Sequence, residues 1–467
     1  MTHRSWICLG AALLAAGLLV ISTAQGGIVY TSTNGQFVME GEWYSSRADT
    51  AYPDSWLVVP DENGGAGTLN LARGGKFVQS LPDQVGTGGG PMVAPSIQYS
   101  VAVTDPGTYR LYLRWGNNTN IGGGGNSDSM FVDLVEIKDG TGTGQADWYE
   151  MTHNSNTFRW DGGGQAEINS AGAADNPMTW NIATPGVYNI RVSQREDGSA
   201  VDALVLQKAS LPAPTGLGPV TSLLAAPDGR IGQEFALTPD ADSYVRLGIP
   251  NENYGTDSDL PVKNSDTSGT TRKGYIRFDL SGASDEVIDA QLDLQVIVNN
   301  NGTGDDTPQT YTVNVFGLRD DAAGNNWIEG NGGTDNDPAG ELDWNNAPAN
   351  LGGNAIDTDL APLLGQFVVP AINPQTSGQT VLVSFGNLQS VTPNAFIDFL
   401  KADTDGLVTF IFTREPGGNN LVFASEEHDT AMAPTLRLAT VPEPATMALL
   451  GLATCGLGGY LRKRRHA

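Results

Sequence analysis

Short runs in which hydrophobic and polar residues alternate restrict the fold of this chain more than any other feature. A period of two places every second side chain on the same face of a β-strand, so such runs predict half-buried strands. The two clearest runs flank an Asp-Pro-Gly turn at residues 105–107 and predict an antiparallel hairpin. Their alternating hydrophobic residues are Ile97, Tyr99, Val101 and Val103, followed by Tyr109, Leu111, Leu113 and Trp115.

The same alternation recurs along most of the chain. Further runs lie at residues 130–134, 188–192, 276–280, 292–298 and 408–412. Outside the two ends, no stretch keeps a helical period over three turns. Residues 211–219 are rich in Pro and lack a period, which is typical of a semi-rigid linker. The sequence therefore predicts an all-β fold of two jelly-roll-like β-sandwich domains, at residues 28–208 and 240–440, with a linker at 209–239.

The charge of the chain restricts its partners. The formal net charge is −27, and Arg4 and the four basic residues at positions 462–465 lie at the two ends, so the body between them is more acidic still. Such a surface repels phosphate backbones, which argues against nucleic-acid binding, whereas it is compatible with hard cations such as Ca²⁺. Solubility alone is the alternative explanation for most of these acids. Cys8 and Cys455 lie in terminal apolar segments, so we expect no disulfide in the body.

Residues 1–24 have the pattern of a secretory signal peptide. Arg4 provides the positive start, residues 7–21 the apolar stretch, and Ser22, Thr23 and Ala24 a small-residue cleavage site. We expect cleavage after Ala24. A retained membrane anchor is the alternative, but about 15 apolar residues are short for a membrane span.

The C-terminus, at residues 441–467, combines three features in a fixed order. Pro442, Glu443 and Pro444 form a polar break, residues 445–461 are mostly apolar, and residues 462–465 are basic. The apolar run is long enough for a transmembrane helix, and the basic cluster is expected to stay cytoplasmic. This order resembles the PEP-CTERM sorting signal, which exosortase systems process. The resemblance implies an exported protein that is transiently membrane-anchored, then displayed at the cell surface or released into extracellular polymer. A plain C-terminal anchor is the alternative.

Two acidic patterns in the first predicted domain suggest a cation site. Glu40 and Glu42 are two residues apart and project from one face of a strand. If the first and last strands are neighbours, Asp202 joins them in a cluster that needs a cation. Residues 35–208 resemble family-six and malectin-like jelly-roll carbohydrate-binding modules, which implies that Glu40, Glu42 and Asp202 are ligands of a structural Ca²⁺. The alternative is ordinary solvated acids, or acids paired with Arg195.

Tryptophan is frequent in the same domain. Trp148, Tyr149 and Trp160 lie among Gly and Asn residues, which favours exposed rings on which sugars stack. Trp115 ends a clean alternating strand and is expected in the core. For any single tryptophan, core packing is the competing interpretation.

The second predicted domain combines several sequence blocks with a local excess of basic residues. The blocks begin at Asp242, Asn253, Leu260, Arg272, Ile288, Trp327, Leu342, Phe423 and Ala433. Their order resembles the DNRLRE or disaggregatase-related domain, part of which is classed as a carbohydrate-binding module for acidic polysaccharides such as alginate. Basic side chains along a sheet face suit a polyuronate. The candidates are Arg246, Lys263, Arg272, Lys273 and Arg277. The alternative is pairing with acids such as Asp257 and Asp279.

Catalytic motifs are missing from the sequence. His153 and His428 are isolated, and neither HExxH nor GxSxG occurs. We therefore predict a non-enzymatic, exported polysaccharide-binding protein. A matrix or adhesion protein that binds no sugar is the second hypothesis. A polysaccharide-degrading enzyme is the third, because a catalytic carboxylate pair is not readable from sequence spacing.

Overall fold

The computed structural model describes residues 28–32, 34–48, 56–59, 69, 71–80, 95–117, 128–138, 146–152, 155–166, 176–225, 233–265, 269–283, 286–300, 307–333, 340–417 and 420–441. The predicted signal peptide, the predicted transmembrane helix and the sorting motif Pro442, Glu443 and Pro444 lie outside these ranges. Within them, no helix is both long and apolar enough to cross a membrane.

The described residues are mostly β-strands, which confirms the all-β prediction. Those before residue 209 are β1 (Val29–Tyr30), β2 (Gln36–Glu40), β3 (Ser46–Ala48), β4 (Trp56–Val59), β5 (Phe77–Ser80), β6 (Ser96–Val103), β7 (Gly107–Asn117), β8 (Ser129–Leu134), β9 (Tyr149–Thr152), β10 (Arg159–Asp161), β11 (Gly163–Ala166), β12 (Asn176–Pro177), β13 (Thr179–Ile182), β14 (Gly186–Gln194) and β15 (Ser199–Lys208).

Those after residue 232 are β16 (Gln233–Leu237), β17 (Ala241–Arg246), β18 (Asp259–Val262), β19 (Arg272–Asp279), β20 (Glu286–Asn300), β21 (Tyr311–Leu318), β22 (Leu363–Val369), β23 (Val381–Gly386), β24 (Leu407–Arg414), β25 (Asn420–Ala424) and β26 (Thr435–Val441). The helical segments are short: α1 (Pro374–Ser377), α2 (Ala395–Ala402) and 3₁₀ turns at Arg73–Gly75 and Asn387–Gln389.

Strands β1–β15 form the N-terminal sheet pair. One sheet has the order β1-β6-β14-β8-β9-β11-β12, with β3 also on β6, and the other has the order β10-β7-β15-β5-β4, with β13 on β7 and β2 on β15. The predicted hairpin of β6 and β7 is wrong, because these strands belong to different sheets and the turn at residues 105–107 crosses between them. Their alternating residues are nevertheless all buried in one core. Alternation reports which face is buried, and it does not report which strand lies alongside.

Strands β16–β26 form the C-terminal sheet pair. Its sheets have the orders β16-β26-β20-β25-β18, with β23 on β20, and β17-β19-β24-β21-β22. Side chains from both sheets meet in one hydrophobic cluster, which includes Leu260, Ile276 and Phe410. A smaller cluster around Trp327 and Trp344 lies on the other face of the β17-β19-β24 sheet.

The segment between the sheet pairs is more ordered than its sequence predicts. Residues 233–237 are strand β16 and pair with β26, so the predicted linker boundary at 239 is wrong. Upstream, the backbone of Thr221 accepts hydrogen bonds from Gln291 and Arg437, and Leu224 donates to Asp289. On the other side, Thr31 donates to the carbonyl of Leu223. Side chains satisfy much of this backbone, which explains why the segment has no strand period in its sequence.

Candidate functional site

Strand register places three basic residues in a row at one end of the C-terminal sheet pair. Arg246, the last residue of β17, lies directly opposite Arg272, the first residue of β19. Arg272 in turn lies opposite Lys263, which follows β18, and their backbones exchange hydrogen bonds of 2.8 and 3.0 Å. Residues directly opposite one another in antiparallel strands have neighbouring side chains. We call Arg246, Arg272 and Lys263 the basic row.

The basic row is half-buried and only partly satisfied. The Nε atoms of Arg246 and Arg272 are buried and have no hydrogen-bond partner. The Nζ atom of Lys263 donates to Oδ1 of Asn420 at 3.1 Å. Within the ranges that the structure describes, no carboxylate forms an ion pair with any member of the row. Like charges directly opposite one another destabilise a sheet, so the row costs folding free energy in the free protein.

The environment of the row disfavours its positive charge. The pKa of Lys263 is lowered by burial and by the nearby charges of Arg272, Arg414 and Arg246. The pKa of Arg272 is lowered by burial and by Arg246. An anion that binds here reverses both effects, because an opposite charge within a few ångströms favours the charged form. The row is therefore a place where a negatively charged ligand gains binding free energy.

Arg414 is the basic residue that the sequence analysis missed. It is fully buried at the end of β24, its Nε donates to the carbonyl of Val262 at 2.9 Å, and its guanidinium lies 4.1 Å from the centre of the Tyr311 ring. It holds the backbone next to Lys263, and its charge adds to the positive potential that lowers the pKa of Lys263. The alternating residues that precede it, Val408, Phe410 and Phe412, predict the strand but not the edge at which it ends.

The acids nearest the row are bound by tyrosines. Tyr244 and Tyr254 stack with ring centres 4.1 Å apart. The Tyr244 hydroxyl donates to Asp257 at 3.0 Å, and the Tyr254 hydroxyl donates to Glu252 at 2.7 Å. Burial, together with the Glu252 carboxylate, raises the pKa of Tyr254 to about 12, so this hydroxyl keeps its proton. The alternative in which Asp257 neutralises the row does not match this geometry.

Lys273 and Arg277 lie on the opposite face of β19 from Arg272, because successive side chains alternate. Lys273 is fully buried, and its Nζ donates to Asn350 Oδ1 and to the carbonyls of Leu351 and Ala355 at 2.6–3.0 Å. Burial lowers its pKa to about 7. Arg277 pairs with Asp240 and lies 5.1 Å from the ring centre of Trp327. The structure therefore corrects the prediction for both residues, which hold loops in place.

The three aromatic residues predicted as a sugar platform do not form one. Tyr149 is 4% exposed and packs edge-on against Trp180 in the core. Trp160 donates from Nε1 to the carbonyl of Gly216 at 3.1 Å and is covered by the segment that follows β15. Gly218 has φ +87°, and a Cβ there would approach Trp160 Cζ2 to 2.5 Å. The backbone therefore packs on the Trp160 ring only with glycine at this position. Trp148 is half-buried and packs against Phe131. Trp115 is buried, as expected.

Glu40 and Asp202 come together as the sequence predicts, because β2 and β15 are neighbours. The cations beside them are arginines. Arg73 contacts both carboxylate oxygens of Glu40 at 2.8–3.0 Å, and Arg114 pairs with Asp202. Burial raises the pKa of Asp202 to about 7, although Arg114 opposes this shift. Arg195, the partner suggested by the sequence, pairs with Glu150 and Glu196 instead.

Glu42 completes this acidic group, and the charge of Lys76 acts on it. Its Oε2 atom is buried and has no hydrogen-bond partner, and burial followed by the charge of Glu40 holds its pKa well above the ordinary value. Glu42 lines a cavity of about 470 Å³ together with Trp43 and Phe367. Since Glu40 and Asp202 already have guanidinium partners, the three residues do not fit the Ca²⁺ site that their resemblance implied.

A different carboxylate cluster lies beside the loops that Arg277 holds. Ligand oxygens of Asp242, Glu329 and Glu427 lie within 4.8 Å of one another. Burial and the charges of neighbouring acids raise the pKa of Asp242 to about 8 and that of Glu329 to about 7, although hydrogen bonds from backbone N–H groups oppose the shift. These acids were not predicted, because they come from three separate blocks of the sequence.

Two segments of the chain match known protein families. The model of carbohydrate-binding module family 96 matches residues 233–358, which contain the whole basic row. The model of the PEP-CTERM protein-sorting motif matches residues 440–465. Together they indicate an exported, surface-associated protein with a carbohydrate-binding module. The DNRLRE and jelly-roll descriptions stay predictions.

Similarity to whole proteins is weak. None of the curated proteins matches the chain. Among solved structures, a ruminal GH26 endo-β-1,4-mannanase is 11% identical (TM-score 0.23, 39% of this chain and 27% of that one). A Paenibacillus xanthan lyase is 14% identical (TM-score 0.21, 87% and 26%). The CBM22-1-CBM22-2 tandem of Paenibacillus barcinonensis Xyn10C is 10% identical (TM-score 0.18, 88% and 99%). The chain thus spans about a quarter of the mannanase and the lyase, and these scores carry no argument about function.

Proposed function

We propose that this protein is exported, processed by an exosortase-type system, and binds an acidic polysaccharide at the basic row. The observation that carries the proposal is the register that sets Arg246 opposite Arg272 and Arg272 opposite Lys263. The match of residues 233–358 to a carbohydrate-binding module family supports it, since the row lies inside the matched segment.

The chemistry of the row suits the carboxylates of a polyuronate. Arginine binds carboxylates through two parallel N–H···O bonds, and lysine contributes a compact charge. No carboxylate in the described ranges pairs with Arg246, Arg272 or Lys263, so their charges are left for a ligand. Because the rest of the chain is strongly acidic, a polyanion is repelled everywhere except near such a local excess of base. We therefore expect binding that is local and sensitive to salt.

Binding without catalysis is the function that the row favours. The row combines cations with buried tyrosines, and such groups bind and orient a carboxylate. Repulsion between three adjacent cations lowers the stability of the protein. A protein that serves only as a spacer gains no function in return. The basic row therefore argues against the spacer hypothesis.

Affinity electrophoresis tests this proposal. The purified protein is run in gels that contain alginate, polygalacturonate or neutral dextran. We expect retardation by the two uronic-acid polymers and no retardation by dextran. Arg246→Gln is expected to lose at least about tenfold in affinity, as a charge-assisted pair implies. Arg319→Gln is the matched control, because Arg319 is exposed and pairs with Asp321. Equal retardation of all three proteins counts against the proposal.

A further inference from the structure

Two loops of the C-terminal sheet pair bring three aspartates together. Asp320 follows β21, and Asp403 and Asp405 lie between α2 and β24. Ligand oxygens of the three residues lie within 4.8 Å of one another. The two loops also contact directly, since the backbone N–H and the hydroxyl of Thr404 both donate to Asp320 at 2.7 Å.

Asn325 supplies an independent observation beside this cluster. The residue is 6% exposed, and its Nδ2 donates to Asp405 Oδ2 at 2.9 Å. Its Oδ1 atom is buried and has no hydrogen-bond partner. The amide is thus held against the aspartates through Nδ2, and rotation of the amide group exchanges Nδ2 for the unpartnered Oδ1 at this position. A buried acceptor without a partner costs free energy, and a bound cation removes that cost.

No basic side chain in the described ranges pairs with the three aspartates. Arg319 pairs with Asp321, and Lys401 pairs with Glu286. Burial raises the pKa of Asp403 to about 6, and the charges of Asp320 and Asp405 add to this effect. The charges of Asp320 and Asp405 therefore repel that of Asp403.

We propose that Asp320, Asp403, Asp405 and Asn325 form a Ca²⁺ site that fastens these two loops together. Carboxylate and amide oxygens are the ligands that Ca²⁺ prefers. Residues 403–406 have the sequence Asp-x-Asp-Gly, and Gly406 has φ +86°, so the chain turns sharply directly after the second aspartate. The site is distinct from the predicted site at Glu40, Glu42 and Asp202, and it does not depend on sugar binding.

Calorimetric titration with CaCl₂ tests this inference on the purified, chelator-treated protein. We expect binding with a Kd at or below about 10⁻³ M, the upper end for extracellular calcium modules, and a higher melting temperature (Tm) with Ca²⁺. Asp403→Asn and Asn325→Leu are each expected to weaken binding at least about tenfold. Asp321→Asn is the matched control and is expected to bind like the wild type.

Folding of the variants is checked by circular dichroism without Ca²⁺. Asp403→Asn removes one of three repelling charges, so its metal-free Tm is expected to equal or exceed that of the wild type. The inference is overturned if the wild type binds no Ca²⁺ at about 10 mM. It is also overturned if Asp403→Asn binds as tightly as the wild type, or if only Glu329→Gln abolishes binding.

Discussion

Arg272 is the middle residue of the basic row, and its replacement by glutamine is expected to stabilise the free protein while weakening polysaccharide binding. Arg272 lies opposite both Arg246 and Lys263, so it takes part in two repulsive pairs. For charges about 6 Å apart, one pair costs about 0.7 kcal/mol at the dielectric constant of water and about 2.8 kcal/mol at an effective constant of about 20.

The row is half-buried, so solvent screens part of this repulsion and the lower figure applies. Glutamine also loses some of the packing of the arginine stem. We therefore expect a net gain of about 1 kcal/mol, which corresponds to a Tm increase of about 2–4 °C for a unit of this size. The desolvation of Arg272, which lowers its pKa in the folded state, acts in the same direction.

Thermal unfolding of the wild type and Arg272→Gln at about 20 mM and about 1 M NaCl measures this effect, because salt screens the repulsion. The stabilisation is expected to be largest at low salt and to shrink at high salt. Arg277→Gln is the control on the same strand, and it is expected to lower the Tm because Arg277 loses Asp240 and Trp327. A lower Tm for Arg272→Gln at low salt refutes the reasoning.

Two further predictions concern stability. The pKa values of Asp242 and Glu329 are raised in the folded state, so the folded protein binds more protons than the unfolded chain between about pH 4 and pH 8, and stability falls as pH rises through that range. The Tm of the chelator-treated protein is expected to be higher at about pH 5 than at about pH 8.5. Asp242→Asn is expected to reduce this difference. A Tm that rises with pH contradicts the raised pKa values of Asp242 and Glu329. Arg73→Met leaves Glu40 buried without its partner, so urea unfolding is expected to show a loss of about 3–5 kcal/mol. A much smaller loss that grows on chelation supports Ca²⁺ at Glu40 instead.

Much of the fold is predictable from alternation, and its limits are visible at β6 and β7. Every hydrophobic residue assigned to their inner faces is buried. Their pairing is not predictable, because a period of two identifies a face and carries no information about the neighbouring strand. The ordered structure of residues 209–225 was also missed, since side chains and isolated backbone hydrogen bonds, rather than a continuous β-ladder, satisfy that backbone.

For the candidate site, the sequence likewise identified residues but not their arrangement. Composition alone identified Arg246, Lys263 and Arg272, but their contact depends on register between strands that a long connection separates. Adjacent residues in a strand face opposite sides, which by itself separates Arg272 from Lys273. Arg73, the partner of Glu40, lies in a short 3₁₀ turn without a recognisable pattern. Its role becomes visible only in three dimensions.

The most direct test of the central claim is a titration of a short uronic-acid oligosaccharide into the purified protein and into the double variant Arg246→Gln/Arg272→Gln at low salt. We expect measurable heat of binding for the wild type, none for the double variant, and a double variant that remains folded with an equal or higher Tm. Equal affinity of both proteins for the oligosaccharide contradicts the assignment of the basic row as the binding site.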